Sequence, residues 1–460
     1  MKRLIALLLG LTFLFSVALA EKEEDASSVM RSDFTMQCTV IPDGFPENEQ
    51  ENIAEWAEFL GKISLRGVVD TQDFPSPNDR VYFNGGLAIE GNVVLPFEYD
   101  GYHSYRYVRS PALDGASIHF QMHNFFEFML KPYYYVGIPT NYIALLLYPE
   151  ATQYLIDLYI KPFQALCEGE GNRVIKHPKL RKLSRKLDRF NNRDYNGLGR
   201  VYFYCTSLLS DLGVADDTVS KLGDLETYLS FLDPEKRGLH ITENEVGETY
   251  RIGEYTILKR GENEGNEHFT LTLPDMDGYL LTVEYQNIAQ TEGRLMACNV
   301  KVTQEGNELL GLAINASGLP DSDETMAKGK ASIVLTGESV TPIHPLHFTF
   351  DYSRSAIEKP HSTHLKVNLL HPKTNKEAYT LVYNADSSVE DASVMVERAY
   401  DNQDDFFNLN ESMMSEYKER FIPTLTLSAL PFLFEMPPTV INDIYNFAES
   451  TDLLSIIGVE

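Results

Sequence analysis

Cysteine is scarce in this chain: Cys38, Cys167, Cys205 and Cys298 are the only four in 460 residues. Their wide spacing matches no disulfide-rich scaffold. An even number in an exported chain leaves three complete pairings open. Cys298 alternates in phase with Met296, Val300 and Val302, so it reads as a buried thiol packing as a small hydrophobe. Basic residues are also in deficit, 39 against 67 acids, for a formal charge of −28. That balance argues against non-specific nucleic-acid binding and suits colloidal solubility. Tryptophan occurs once, at Trp56.

Long apolar runs are missing after the first twenty residues. The most apolar internal stretch, 133–148, is interrupted by Pro139 and falls short of the roughly 20 residues a membrane helix needs. It reads as a buried helical hairpin, and no transmembrane span is expected. Catalytic signatures are missing too: there is no H-E-x-x-H, G-x-S-x-G, Walker loop or dinucleotide fingerprint. Asp275-Met276-Asp277-Gly278 has the start of a calcium loop without its later ligand, so it reads as a hairpin turn. Nothing calls for a cofactor, and no catalytic residue is assigned.

What is there begins with an export signal. Lys2 and Arg3 precede an apolar run over 4–17, and Ala18-Leu19-Ala20 supplies the small-x-small cleavage pattern. Residues 1–20 are expected to be removed, which takes the formal charge from −28 to −30 and places the product outside the cytoplasm. No cysteine follows the cleavage site to carry a lipid, so the product is expected to be secreted or held at the envelope by partners.

An acidic leader is expected over 21–48. Ile53, Trp56, Ala57 and Leu60 then recur at helical spacing up to Gly61. From Lys62 the period becomes two, with strand-like runs at 81–89, 93–99, 103–109 and 116–122. Glu90-Gly91-Asn92, Asp100-Gly101 and Asp114-Gly115 supply turn chemistry for an antiparallel meander. Helical periodicity returns at 124–136, 140–160, 177–192 and 217–232, giving an N-terminal α+β domain over 49–235. The polar, Pro- and Gly-containing segment 233–238 is the expected boundary. Nine further strand-like runs make an antiparallel β domain over 239–390, and 391–460 reads as a helical segment packing on it. The fold class is therefore α+β: antiparallel meander sheets, each followed by helices. Glu-Gly-Asn recurs before strands at 90, 264 and 305, which permits a degenerate duplication, although the tripeptide is also ordinary hairpin chemistry.

Two constellations carry candidate chemistry. Between 173 and 193 nine basic residues face a single acid, Asp188, while Leu180, Leu183, Leu187 and Phe190 form one apolar stripe. Lys179, Lys182, Arg185, Lys186 and Arg189 are the candidate ligand-binding residues, aimed at an anionic wall polymer or a membrane surface. The competing reading is a helix whose basic face meets the protein's own acids. The second constellation is histidine: five of eleven fall between 344 and 371. With alternation on two strands, His347, Asp351 and His364 are candidate ligands for zinc or another first-row metal; a solvated sheet face is the plainer reading. The tyrosines at 99, 102, 105, 107 and 133–135 suit strands as well as they suit a glycan platform. Together these features favour a non-enzymatic exported binding protein. The alternative is a secreted hydrolase, a glycosidase or peptidase, with its site assembled from distant strands.

Overall fold

The computed structural model describes residues 28–72, 80–102, 105–114, 117–121, 161–193, 206, 209–210, 213–263, 266–276, 278–291, 293–319, 327–337, 345–354, 361–395, 406–408 and 421–450. The expected helices at 124–136 and 140–160, and the apolar stretch 133–148, lie outside them, as does Cys205.

In chain order the elements are β1 (Ser28–Val40), α1 (Gln50–Gly61), β2 (Ile63–Gln72), β3 (Arg80–Ile89), β4 (Asn92–Tyr102), β5 (Tyr105–Arg109) and β6 (Ser117–Gln121). Next come α2 (Lys161–Cys167), β7 (Arg173–Ile175), α3 (His177–Arg193), α4 (Asp216–Gly223), α5 (Leu225–Leu232), β8 (Leu239–Asn244), β9 (Gly247–Ile252) and β10 (Tyr255–Asn263). A run of strands follows: β11 (Asn266–Met276), β12 (Tyr279–Ala289), β13 (Arg294–Gln304), β14 (Asn307–Leu319), β15 (Ala327–Thr336), β16 (Leu346–Arg354), β17 (His361–Leu370) and β18 (Glu377–Asp391). The chain ends with β19 (Phe406–Asn408), α6 (Ile422–Glu435) and α7 (Pro438–Ser450). The result is a sheet-dominated mixture of strands and helices.

Contacts divide the chain into two units, one of residues 1–137, 322–328 and 348–460, the other of 138–321 and 329–347. In the first unit the strand order is β6-β5-β4-β3-β2-β1-β18-β17, antiparallel throughout, and β19 adds to β6 in parallel. The part of the expected acidic leader over 28–40 is thus a strand, β1, paired on both sides. Its polar letters hide the pattern, because Arg31 and Asp33 alternate with Met30 and Phe34. Phe34 is 2% exposed, with ring centroids 5.7 Å from both Phe83 and Tyr383. Gly67 and Gly85 sit opposite each other on β2 and β3. A Cβ on Gly67 would stand 2.4 Å from the Asn84 carbonyl oxygen and 2.9 Å from the Phe83 ring, so the close approach here requires glycine. The opposite face carries two bidentate ion pairs. Arg31 donates to Asp70 at 2.7 and 2.8 Å, and Arg80 donates to Asp100 at 2.9 and 2.8 Å. Tyr82 lies in register between the two aspartates, and its hydroxyl is pushed up by burial and by the charges of Glu98 and Asp100. Helix α1 packs Trp56 and Phe59 against Val440 of α7, and the indole N–H donates to Asp443 at 2.8 Å.

In the second unit β7 to β15 form an antiparallel meander, each strand pairing with the next along β7-β8-β9-β10-β11-β12-β13-β14-β15, once α3 to α5 have been inserted after β7. Glu305-Gly306, with φ of 49° and 85°, turns β13 into β14, and Glu90-Gly91 does the same between β3 and β4. Cross-strand partners share a face, so register alone traces one apolar row: Ile241, Tyr250 and Leu258, continuing through Leu271, Val283, Val300 and Leu312 to Leu335. Helices α2, α3 and α5 cover its first part, where Leu180, Tyr228 and Leu232 pack on Leu239, Ile241, Tyr250 and Ile252. Asp217 and its successors, expected as one helix to 232, form two, α4 and α5. Asp224 breaks them with φ −96° and ψ 96°, and its side chain accepts from the Glu226 N–H to cap α5.

The segment 233–238 behaves unlike a linker. Asp233 is 1% exposed and accepts from the backbone N–H groups of Arg237 and Gly238, while facing His177 Nδ1 at 3.2 Å. Burial by itself would raise the Asp233 carboxyl; the Gly238, Arg237 and His177 donors outweigh it and hold the group below its usual value. The segment lies inside the second unit, tying the start of α3 to the end of α5 and the approach to β8.

Candidate functional site

Helix α3 exists where the sequence places it because its apolar residues recur on one side. Leu180 and Leu187 are each 4% exposed, and Ser184 between them is also buried. That registration forces the basic residues outward. Lys179, Lys182, Arg185 and Lys186 are all exposed; the Arg189 side chain lies outside the described residues. Glu226 of α5 takes up part of this charge. Arg181 Nε donates to Glu226 Oε1 at 2.6 Å and Arg185 Nε to Oε2 at 2.9 Å. These two arginines, Arg185 foremost, hold the Glu226 carboxyl below its usual range.

The division of labour is clear from the spacing. Arg181 and Arg185, four residues apart, point at one acid, whereas Lys179, Lys182 and Lys186 follow at steps of three and four along the adjacent strip. Among the described residues no acid is ion-paired to those three lysines. Arg185 is therefore reassigned from ligand binding to intramolecular pairing, and the lysines keep the candidate role. The reading of the helix as meeting the protein's own acids holds for Arg181 and Arg185.

The histidine constellation comes out differently. Among the described residues no three His, Cys, Asp or Glu side chains form a group arranged to hold a metal. His347 falls in the second unit, Asp351 and His364 in the first. The expected trio is thus not assembled as a ligand set. His364 Nδ1 instead pairs with Asn384 Oδ1 at 2.6 Å, its direct cross-strand partner. It belongs to a polar depression of about 350 Å³ that also includes Asp33, Thr35, Ser362 and Asp386. Asp33 and Asp386 face each other in register on β1 and β18, and Ser362 donates to Asp386 at 2.5 Å. Sequence reasoning missed Asp33 and Asp386, since the β1–β18 pairing joins residues 353 positions apart here, 386 against 33. No local signal announces that pairing.

The three described cysteines, Cys38, Cys167 and Cys298, are free thiols. Burial pushes Cys38 to about 12 and Cys167 to about 11. No family model matches the chain, and no curated protein matches it.

Proposed function

We propose that this chain is an exported, non-enzymatic binding protein that docks on a phosphate-bearing anionic surface of the cell envelope or exterior through Lys179, Lys182 and Lys186. The observation that carries this reading is the lysine strip on α3, ion-paired to no acid among the described residues, in a chain of formal charge −28, beside an acid already occupied by Arg181 and Arg185. A rigid helix presenting three ammonium groups on one face attracts polyanions by charge and counterion release, within about a Debye length of the surface, ~8–10 Å at physiological salt. The start of α3 is held by the buried His177–Asp233 contact, which fixes the strip relative to the sheet it packs on. The export signal supplies the compartment in which such a surface is met.

The test is co-sedimentation of the full chain with phosphatidylglycerol vesicles, phosphatidylcholine vesicles and purified anionic wall polymer over a sodium chloride series. Binding to anionic partners that weakens steadily with salt, and that is lost in a K179Q/K182Q/K186Q variant with unchanged circular dichroism, supports the reading. Salt-independent binding, or wild-type binding by the triple variant, refutes it.

A further inference from the structure

We infer that helices α6 and α7 of the first unit are the interface of a homodimer, in which the apolar stripe of α6 packs antiparallel on the same stripe of a second copy. The surface is separate from the lysine strip of α3 and stands or falls independently of it.

Of the eleven large apolar side chains exposed among the described residues, six fall within 427–445, while the other five are spread over both units. Helix α6 packs on β4 and on the turn Pro111–Leu113, with Phe432 facing inward, and α7 buries Val440 against Trp56 and Phe59 of α1. Pro423, Leu427, Leu430 and Phe434 recur four, three and four residues apart, on the side of α6 opposite Phe432. Leu427 is 65% exposed and Phe434 83%, the reverse of what a stripe at this spacing shows when its own chain covers it. Ile441, Ile444 and Tyr445 repeat the pattern on α7. Counting about 200 Å² for a large side chain in full contact with water, the six present roughly 600 Å² of apolar surface. That stands at the ceiling for the largest patch of a typical monomer, about 600 Å². With Pro423, Thr426 and Leu430 it approaches the ~800 Å² that each partner gives to a stable interface.

Charge decides which partner fits. In a chain of formal charge −28, no charged residue occurs over 422–434 and no Lys or Arg over 421–450. Of the three acids in that span, Glu435 pairs with Lys62 at 3.0 Å, Asp443 accepts from the Trp56 indole, and Glu449 lies at the far end of α7. Two copies therefore meet at the α6 stripe without like charges opposed. A helix that lies on a lipid surface flanks its apolar side with Lys and Arg, and this one has neither. About a two-fold axis near Leu430 the spacing is self-complementary: Leu427 of one copy meets the partner's Phe434, and Phe434 meets the partner's Leu427.

Sedimentation velocity of the full chain over a concentration series, with circular dichroism on each variant, tests this. A reversible dimer with a dissociation constant of about 1 μM or tighter is expected. L427E and F434K, both at exposed positions, should each weaken it about thirtyfold or more with the fold unchanged. The L427E/F434K double variant should recover the dimer, because the antiparallel arrangement sets each introduced acid against an introduced base of the second copy. A concentration-independent monomer, a dimer indifferent to both single variants, no recovery in the double variant, or a monomer that binds phosphatidylcholine vesicles and loses that binding with F434K would each overturn the proposal.

Discussion

Replacing Asp233 by alanine removes a buried acceptor that three donors share, and the expected cost follows from what each donor is left facing. The Gly238 N–H is buried and loses the carboxylate it donates to; the Arg237 N–H is part-buried and partly recovers water; His177, 7% exposed, loses its facing carboxylate. Hydrogen bonds to a charged group are worth about 1.5–3 kcal/mol, and an orphaned buried donor costs about 1–3 kcal/mol. Allowing for the Arg237 recovery, the loss in the second unit is about 3–5 kcal/mol. Asp233→Asn keeps an acceptor oxygen but not the charge and should cost less. Urea unfolding followed by circular dichroism gives the total, and hydrogen exchange of α3 and β8 amides assigns it to this unit. The pH dependence provides a second arm. Because the Asp233 carboxyl is held below its unfolded value, its contribution is present at neutral pH and fades as pH falls through the folded value. The gap between wild type and D233A should therefore close in acid. A D233A loss below about 1 kcal/mol at pH 7, or a gap that widens on acidification, refutes the tie assigned to this segment.

In the first unit, Arg80→Ala leaves Asp100 buried at 5% side-chain exposure without its bidentate partner. The expected destabilisation is about 3–5 kcal/mol, whereas R80M/D100L should recover much of it, since replacing both ions with apolar groups removes the orphaned charge; a double-mutant cycle in urea decides. With thiols at about 12 and about 11, Cys38 and Cys167 carry thiolate fractions of about 10⁻⁴ and 10⁻³ at pH 8. Both should resist iodoacetamide in the native protein and react promptly in urea. Native-state alkylation of Cys38 at a free-thiol rate would contradict its place on β1.

Local periodicity made much of this architecture legible. Alternation at Ile63, Leu65 and Val69 and the turn residues of Glu90-Gly91-Asn92 delivered β2 to β4, because side-chain period and positive φ are properties of neighbouring residues. The apolar stripe of Leu180, Leu183 and Leu187 delivered α3 and, with it, the outward direction of Lys179, Lys182 and Lys186. Leu239–Asn244 and Gly247–Ile252 went unread as strands because they are short and carry charged letters on their exposed side.

Long-range pairing was decided elsewhere. That β1 lies between β2 and β18, that Asp33 meets Asp386, and that Glu226 claims Arg181 and Arg185 but leaves the lysines are facts of tertiary contact. So is the conversion of 233–238 from apparent linker to buried tie: Pro and Gly announce a turn, but only the packing of α3, α5 and β8 around Asp233 determines that its carboxylate is desolvated. Sequence by itself determined many of the strands, turns such as Glu90-Gly91 and Glu305-Gly306, and the amphipathic helix, each set by residues a few positions apart. The tertiary structure alone decided which charges are spent internally, because that depends on what distant segments bring alongside.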